Sequence, residues 1–229
     1  MRKLIKSSLS VALAALMSVS MLSHAGEAVA EEGRSGVSYN IGYMSEYWYR
    51  GVYQAESSVS FGADLEAGNF YAGTWWADVD KGMEYDIYAG LNFSMGPADM
   101  YLGVTGYYYS DNFDDDYEEV NFGIAMGNLA IDAAVGEYKK GVVGNTKDHN
   151  YSFTSVAYDL TELTGLPLTY SFGAWGGSKL QGEVHTLSFS KTIEGVDVGL
   201  EVAKNSDDIT GSASNKDTTF ALFTLGYSF

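Results

Sequence analysis

Acidic side chains recur at alternate positions in segments whose intervening positions are largely apolar or aromatic. Glu84 and Asp86, for example, alternate with Tyr85 and Ile87. Two carboxylates on one face could act as an acid and base pair, or they could line a water-filled path that attracts cations. Two acids alone are a weak catalytic signal, so we favour the path. The candidate pore-lining residues are Arg50, Asp64, Glu84, Asp86, Glu119, Asp132, Asp197 and Glu201.

Such an arrangement needs strands, because successive side chains of a strand point to opposite faces. Period-two patterns occur in about twelve segments and predict an all-β protein. The predicted strands are residues 37–43, 59–65, 70–79, 85–93, 100–109, 119–126, 129–136, 151–158, 168–175, 184–190, 196–202 and 218–229.

The last predicted strand ends on an aromatic residue. One of its phases is mostly apolar and runs from Ala221 to Phe229, while the other is smaller and partly polar. The ending resembles the assembly signal of chains inserted into the bacterial outer membrane. We expect this strand to close a barrel against residues 37–43 and its apolar phase to identify the lipid-facing side. The candidate signal residues are Phe223, Leu225, Tyr227 and Phe229.

The N-terminus has the pattern of a secretory signal peptide. Arg2, Lys3 and Lys6 precede an uncharged apolar run over residues 9–22. A retained helical anchor requires roughly 17–25 apolar residues, which is longer than this run. We predict a cleaved signal over residues 1–25, with cleavage after residue 30 as the alternative, and one barrel domain over residues 36–229.

The predicted connections alternate in length. Short turns with Gly or Asn lie at residues 67–69, 95–98, 127–128 and 194–195, and longer polar links lie at 111–116, 139–149 and 204–216. Short periplasmic turns and long extracellular loops are typical of outer-membrane barrels. Links 80–82 and 159–167 depart from this pattern, so the prediction is an antiparallel transmembrane β-barrel of about 12 strands, with a range of roughly 10–14.

Composition agrees with this class. The 229 residues include 27 Gly, 18 Tyr, 11 Phe, 4 Trp and only 2 Pro. Aromatic residues favour strands and membrane interfaces, and scarce Pro preserves ladder hydrogen bonds. The absence of Cys excludes disulfides and thiolate metal sites. Loss of residues 1–25 leaves 10 Lys and Arg against 30 Asp and Glu, or about −20, which argues against nucleic acid as a partner.

A soluble periplasmic β-sandwich or barrel is the first alternative, because it also has alternating strands and Gly-rich turns. Its apolar face would lie in a core rather than against lipid. The signal peptide, the terminal Phe229 and the asymmetry of the connections together favour the membrane barrel.

Three spaced motifs resemble the TorF family of gammaproteobacterial porins. They are residues 45–54 (Ser-Glu-Tyr-Trp-Tyr-Arg-Gly-Val-Tyr-Gln), 70–75 (Phe-Tyr-Ala-Gly-Thr-Trp) and 84–90 (Glu-Tyr-Asp-Ile-Tyr-Ala-Gly). The resemblance covers the mature N-terminal half and the C-terminal strand. It implies an outer-membrane location and a channel, without a defined substrate.

A twelve-stranded barrel lies between eight strands, which side chains can fill, and sixteen to eighteen, which leave a wide channel. We therefore expect a narrow or partly obstructed pore. Inward carboxylates would favour cations over anions, because a low-dielectric wall focuses their field. They could instead be solvated, or paired with Arg50, Lys191 and Tyr hydroxyls in a plugged interior.

Arg50 and the tryptophans have functional and structural interpretations. Arg50 could bind substrate at the pore mouth, but an ion pair that anchors the first loop is favoured. Trp48, Trp75 and Trp76 could stack on sugars, although positions in the interfacial girdle or the wall are favoured for most of them. The acidic run 111–119 lacks the spacing of an EF-hand loop, so we predict no metal site and only loose contact with divalent ions.

An outer-membrane hydrolase is a further alternative, and it would need Ser or Thr near a base. His149 lies in a predicted loop, and His185 shares the phase of Leu187 and Phe189. The sequence contains neither a Gly-x-Ser-x-Gly elbow nor a His-Glu-x-x-His helix. We predict no catalytic residue and no cofactor.

These observations predict an outer-membrane, porin-like channel of a Gram-negative bacterium for passive diffusion of small solutes, with a bias toward cations. A non-conducting structural or adhesive barrel is the main alternative, and an enzyme is less favoured. Expected partners are outer-membrane lipid and lipopolysaccharide, the barrel assembly machinery and small solutes, with the protein a monomer or homotrimer.

Overall fold

The computed structural model describes residues 35–139, 148–177, 180–206, 209 and 218–229. The predicted signal peptide and both cleavage sites lie outside these residues, as do parts of the predicted links 139–149 and 204–216. Among the residues described, no helix is both long enough and apolar enough to cross a membrane.

The described chain consists almost entirely of strands. Its elements are β1 (Ser35–Met44), β2 (Tyr47–Tyr49), β3 (Val52–Ala55), β4 (Ser58–Ala67), β5 (Phe70–Asp78), β6 (Met83–Met95), β7 (Ala98–Tyr109), β8 (Tyr117–Met126), β9 (Leu129–Tyr138), β10 (His149–Asp159), a one-turn helix α1 (Thr161–Thr164), β11 (Leu168–Gly177), β12 (Gly182–Ile193), β13 (Val196–Asn205) and β14 (Thr218–Ser228).

Twelve of these strands form a closed antiparallel barrel in the order β1-β14-β13-β12-β11-β10-β9-β8-β7-β6-β5-β4. The last strand closes it on the first, with Ile41 opposite Tyr227. The predicted fold class, strand number and closure are therefore confirmed. The remaining strands, β2 and β3, form a separate hairpin within the link between β1 and β4, which was predicted as a loop.

The outward phase of the barrel is apolar and exposed. On β1, Val37, Tyr39 and Ile41 are at least half exposed, whereas Asn40 and Met44 on the other phase are buried. The last strand follows the same rule, with Leu225, Tyr227 and Phe229 exposed and Leu222 and Thr224 buried. The predicted outward phase of the last strand is thus the one observed.

Outward aromatic rings form rows near both ends of the barrel. Phe61, Trp76, Tyr85 and Tyr108 stand side by side on β4 to β7, with ring centroids 5.3–5.6 Å apart. At the opposite end, the ring of Phe229 contacts the rings of Tyr39 and Tyr227. Amphipathic rings at the borders of an apolar band are typical of membrane interfaces.

The two ends of the barrel differ in their connections. At the short-turn end, glycines 68, 96, 127 and 195 adopt φ values between 61° and 85°, as tight turns require. This end also carries the two chain ends of the barrel and the link 160–167 with α1. The long-loop end carries links 45–57, 79–82, 110–116, 139–148, 178–181 and 206–217. The two links that depart from the alternation lie where the sequence placed them. The short link 80–82 is at the long-loop end, and the longer link 159–167 is at the short-turn end.

Candidate functional site in the barrel lumen

The β2–β3 hairpin enters the lumen from the long-loop end and is called the plug hairpin here (residues 47–55). Its turn residues Arg50 and Gly51 both have positive φ, 49° and 82°, which is the two-residue geometry that suits a hairpin twist. Gly51 also lies close to the wall, since a Cβ there would lie 2.8 Å from Ile209 Cδ1 and 3.1 Å from Val184 Cβ. A glycine is therefore required at this tip for both conformation and space.

Hydrogen bonds fasten the hairpin to strands on several sides of the barrel. Tyr47 donates to Glu84 on β6 (2.8 Å), and the hydroxyl of Tyr49 donates to that of Tyr107 on β7 (2.8 Å). Two further bonds reach the main chain of the turn. The indole of Trp175 on β11 donates to the carbonyl of Arg50 (2.9 Å), and the side chain of Asn205 on β13 donates to that of Gly51 (2.9 Å).

Aromatic packing completes the attachment. Trp48 stacks on Phe220 of β14, with centroids 3.9 Å apart and an interplanar angle of 5°. Tyr47 is fully buried and meets Trp75 of β5 edge to face at 5.8 Å. The hairpin therefore contacts strands around most of the circumference and crosses the lumen at this level.

The central contact of the hairpin is a buried ion pair between Arg50 and Glu119. Their side chains are 9% and 0% exposed, and the guanidinium donates through Nη1 and Nη2 to the two carboxylate oxygens, both at 2.9 Å. Glu119 also accepts from Tyr107 (2.8 Å), Tyr151 (2.9 Å) and Asn121 (2.5 Å). These donors occupy the lone pairs of the Glu119 carboxylate. The group is therefore stable as an anion although it is buried. The favoured interpretation of Arg50 as an ion-paired anchor agrees with this geometry.

Aromatic rings surround the guanidinium on its remaining sides. The Cζ atom of Arg50 lies 4.8 Å from the ring centres of Tyr49 and Phe153 and 5.6 Å from that of Trp175. Such cation–π contacts strengthen where water is excluded. The Nε atom of Arg50, in contrast, is buried without a hydrogen-bond partner.

Two of the predicted carboxylates lie deep beside the hairpin. Glu84 and Asp86 are each 1% exposed on the inward phase of β6. Glu84 Oε1 accepts from Tyr47, while Glu84 Oε2 and Asp86 Oδ1 have no hydrogen-bond partner. The indole nitrogen of Trp75, which is paired in register with Asp86, is likewise buried and unpartnered.

Three further predicted carboxylates, Asp64, Asp197 and Glu201, lie on β4 and β13. Asp64 accepts from Asn40 (3.1 Å) and from Tyr88. Asp197 and Glu201 are half-buried on the inward phase of β13, five strands from β8 around the barrel. Lys191, a predicted partner of lumen carboxylates, is instead exposed on the outward phase of β12, because it alternates with the inward Ser190. The prediction that Lys191 could pair with lumen carboxylates was therefore wrong, because its side chain faces outward.

Arg50, Asp132 and Ser155 meet at a small cavity beside the ion pair. Asp132 accepts from Tyr101 through Oδ1 (2.8 Å) and lies opposite Ser155 in the register of β9 and β10. The cavity has room for about one water molecule and is partly open. Its lining is Arg50, Tyr101, Asn121, Asp132, Ala133, Ala134, Phe153 and Ser155.

The three predicted tryptophan positions have separate outcomes. Trp76 lies in the outward aromatic row, and Trp75 fills the inner wall, as favoured for most of them. Trp48 belongs to the plug hairpin instead. Three wall residues that bond the hairpin directly were not predicted from the sequence, namely Tyr107, Trp175 and Asn205. The same is true of Asn121 and Tyr151, which donate to Glu119.

The acidic run and the histidines lie outside this site, apart from Glu119. Asp114, in the link 110–116, accepts from the Asp115 amide (2.8 Å) and from Tyr117 (3.1 Å), and burial raises the pKa of its carboxyl to about 6. His185 faces outward, with Nδ1 2.7 Å from the Tyr170 hydroxyl, and His149 begins β10 beside the ring of Tyr138. In the described part of the chain, no three His, Asp or Glu side chains are grouped to hold a metal ion.

Comparisons with known proteins place this barrel among porin-like folds. A family model described as a bacterial protein of unknown function (Gcw_chp) matches residues 28–213. The KdgM porin is similar in structure, with a TM-score of 0.54 and 12% identity over 84% of this chain and 98% of that one. No curated protein matches the sequence.

Two other solved structures are similar to the barrel. A structure described as "Unveiling the Mechanism Behind the in-meso Crystallization of Membrane Proteins" has a TM-score of 0.58 and 10% identity, over 86% of this chain and 83% of that one. The outer membrane protein OpdK of Pseudomonas aeruginosa has a TM-score of 0.42 and 14% identity, with 76% and 57% covered, which is too distant to support an argument. The porin-like barrel that the sequence predicted is supported, while the TorF assignment stays a prediction.

Proposed function

Since the chain belongs to Gcw_chp, a family of bacterial proteins of unknown function, we propose its function from its own geometry. It is an outer-membrane, porin-like channel for passive diffusion of small solutes, with a preference for cations, and it is not an enzyme. The motifs at residues 45–54, 70–75 and 84–90 support kinship with TorF family porins.

The observation that carries this proposal is the charge of the inner wall. The inward phases of the described strands carry no Lys or Arg. They carry the carboxylates Asp64, Glu66, Glu84, Asp86, Asp99, Glu119, Asp132, Asp159, Asp197 and Glu201. Arg50 of the plug hairpin neutralises one of these through its pair with Glu119. The remaining negative field would concentrate cations in the water path and repel anions.

Planar-bilayer recordings in a KCl gradient test this proposal. We expect discrete conductance steps and a reversal potential on the cation side, because the fixed wall charge is negative. Glu201→Gln, on the half-buried part of the wall, should move the reversal potential toward zero. The matched control is Glu183→Gln, whose exposed side chain lies on the outward phase and should leave selectivity unchanged. A preference for anions would refute the cation bias.

A second candidate function is favoured by the plug hairpin itself. A hairpin that crosses the lumen and is fastened on several sides is also expected in a structural or adhesive barrel without conductance. The same recordings separate the two candidates. Persistent absence of steps in correctly folded protein would support the closed barrel.

The location and the partners belong to the same proposal. The apolar outward phase and its aromatic rows support contact with outer-membrane lipid, with the short-turn end in the periplasm and the long-loop end near lipopolysaccharide. Phe223, Leu225, Tyr227 and Phe229 would be read by the barrel assembly machinery, so deletion of Phe229 should lower the folded, heat-modifiable fraction in membranes. Cross-linking in native membranes would distinguish the monomer from the homotrimer.

A further inference from the structure

The cavity beside Arg50 gathers buried polar atoms from three separate elements. Asp132 on β9 is 9% exposed and Ser155 on β10 is 1% exposed, and both line the cavity together with the tip of the plug hairpin. Asp132 Oδ2, Ser155 Oγ and Arg50 Nε all lack a hydrogen-bond partner within the protein. A buried polar atom without a partner costs free energy, so this cavity has an unmet requirement for an occupant.

The chemistry of the three atoms narrows the occupant. Arg50 Nε is a donor only, Asp132 Oδ2 as a carboxylate is an acceptor only, and Ser155 Oγ can take either role. A metal cation would suit Asp132 but would leave the guanidinium N–H unsatisfied and face its charge. An anion would suit Arg50 but would be repelled by Asp132. A hydroxyl group can accept from Arg50 and from Ser155 and donate to Asp132, so its hydrogen-bonding capacity matches all three atoms.

The cavity has room for the hydroxyl alone, so the carbon skeleton that carries it would lie outside, beside the aromatic residues of the lining. Phe153 and Tyr101 present ring surfaces, and both rings are held in place by glycines on the neighbouring strand. A Cβ at Gly173 would overlap the ring of Phe153, and one at Gly123 would overlap that of Tyr101. Rings fixed beside hydrogen-bonding groups offer an apolar face to C–H bonds and a polar point to the hydroxyl.

The position of the cavity places it along the proposed solute path. Asp132 lies three residues from the start of β9 at the short-turn end, whereas Glu119 lies two residues from the start of β8 at the long-loop end. The cavity is therefore on the short-turn side of the ion pair, and it is partly open. A solute entering the lumen from the short-turn end would meet it where the plug hairpin narrows the passage.

We propose that this cavity is a subsite for one hydroxyl of a neutral polyol or sugar, formed by Arg50, Asp132 and Ser155. The inference rests on the proposed channel function and names the class of solute that the constriction recognises. Water is the competing occupant, because its two donor hydrogens and two acceptor lone pairs can make the same three hydrogen bonds.

Saturation-transfer NMR on the detergent-solubilised barrel tests this subsite with sorbitol as the probe. Triethylene glycol dimethyl ether is the matched comparison, since it has oxygen acceptors and no hydroxyl donor. We expect saturable binding of sorbitol and none of the ether. Ser155→Ala and Asp132→Asn should each weaken sorbitol binding by about tenfold, which corresponds to one hydrogen bond to a buried site.

Matched control variants lie on β4, five strands from β9 around the barrel. Ser60→Ala removes a hydroxyl that is also buried, and Asp64→Asn neutralises another inward carboxylate. Neither should change the sorbitol affinity. Heat-modifiable migration verifies the fold of every variant, and Ser155→Ala alone decides the test if Asp132→Asn does not fold.

The possible results separate this inference from the channel proposal. Absence of saturable sorbitol binding, equal binding of the ether, or affinity unchanged in both cavity variants would overturn the subsite and leave water as its only occupant. A protein that conducts KCl but does not bind sorbitol loses only the subsite. A protein that binds sorbitol through Ser155 and Asp132 but does not conduct keeps the subsite and loses the channel.

Discussion

The inward face of β6 changes character from one end of the barrel to the other. Glu84 and Asp86, near the long-loop end, are 1% exposed, whereas Asn92 is half-buried and Ser94 is exposed near the short-turn end. All four side chains lie on one phase of one strand. The difference therefore comes from what stands opposite them, which is the plug hairpin at the first end.

The strands on the far side show the same gradient. On β13, Ala203 and Asn205 are buried near the long-loop end, while Asp197 and Glu201 are only half-buried toward the other. A twelve-stranded wall does not fill its own lumen on these strands, in keeping with its intermediate width. On these two strands, the packing of the long-loop end therefore comes from contacts with the plug hairpin rather than from the wall itself.

Removal of the plug hairpin gives the largest expected effect. Met44 and Ser58 are paired neighbours on β1 and β4, so a short turn can join these strands without the hairpin. Replacing residues 46–56 with Asn-Gly should raise the single-channel conductance severalfold, because the hairpin crosses the lumen and its removal would widen the path. Planar-bilayer recordings measure this change. Unchanged conductance would show that the hairpin does not limit the path.

Breaking the central ion pair should release the hairpin less completely. Glu119→Ala leaves the Arg50 guanidinium buried without its anion, which typically costs about 3–5 kcal/mol. We expect a lower urea midpoint for the folded barrel and a conductance between those of the wild type and the hairpin deletion. The neighbouring Glu118→Ala is the control, since Glu118 is exposed on the outward phase and should change neither value.

The wall of this barrel was predictable and the plug was not, for a physical reason. A strand's period-two pattern is local, so Tyr85 and Ile87 opposite Glu84 and Asp86 predicted both β6 and its inward face. The contacts of the hairpin join residues 69, 125 and 154 positions apart, which no local pattern encodes. The signal in the sequence was Arg50, a lone arginine among aromatic residues in a segment assigned as a loop. It predicted an anchoring ion pair but did not identify Glu119 as the partner.

The packed end should also carry a dependence on pH. Phe113, next to Asp114, packs against a cluster that includes Tyr47 of the plug hairpin, Trp75 and Met44. Burial raises the pKa of Asp114 to about 6, so the folded state favours its neutral form. This contribution is fully present below about pH 4 and is lost as the pH rises through about 6, with an upper limit of about 3 kcal/mol.

Urea midpoints of the wild type and Asp114→Asn at pH 4 and pH 8 measure this dependence. The neutral amide imitates the protonated carboxyl, so the variant should gain stability relative to the wild type at pH 8 and little at pH 4. Asp111→Asn, on the same link but exposed, is the control. If the urea midpoints of the variant and the wild type differed equally at both pH values, the titration of Asp114 would not contribute to the stability of the packed end.

The smallest expected effect comes from adding a methyl group at the hairpin tip. A matched pair of variants separates the cost of close packing there from the cost of the backbone conformation. Gly51→Ala places a methyl group at φ 82° and 2.8 Å from Ile209, and such strain plus contact should cost about 1–3 kcal/mol. Gly68→Ala is matched in positive φ but meets open space at the short-turn end. The difference between their urea midpoints therefore measures packing alone. Equal midpoints would mean that the tip is loosely held, and the contrast between the two halves of the lumen would then rest on the ion pair and not on close packing.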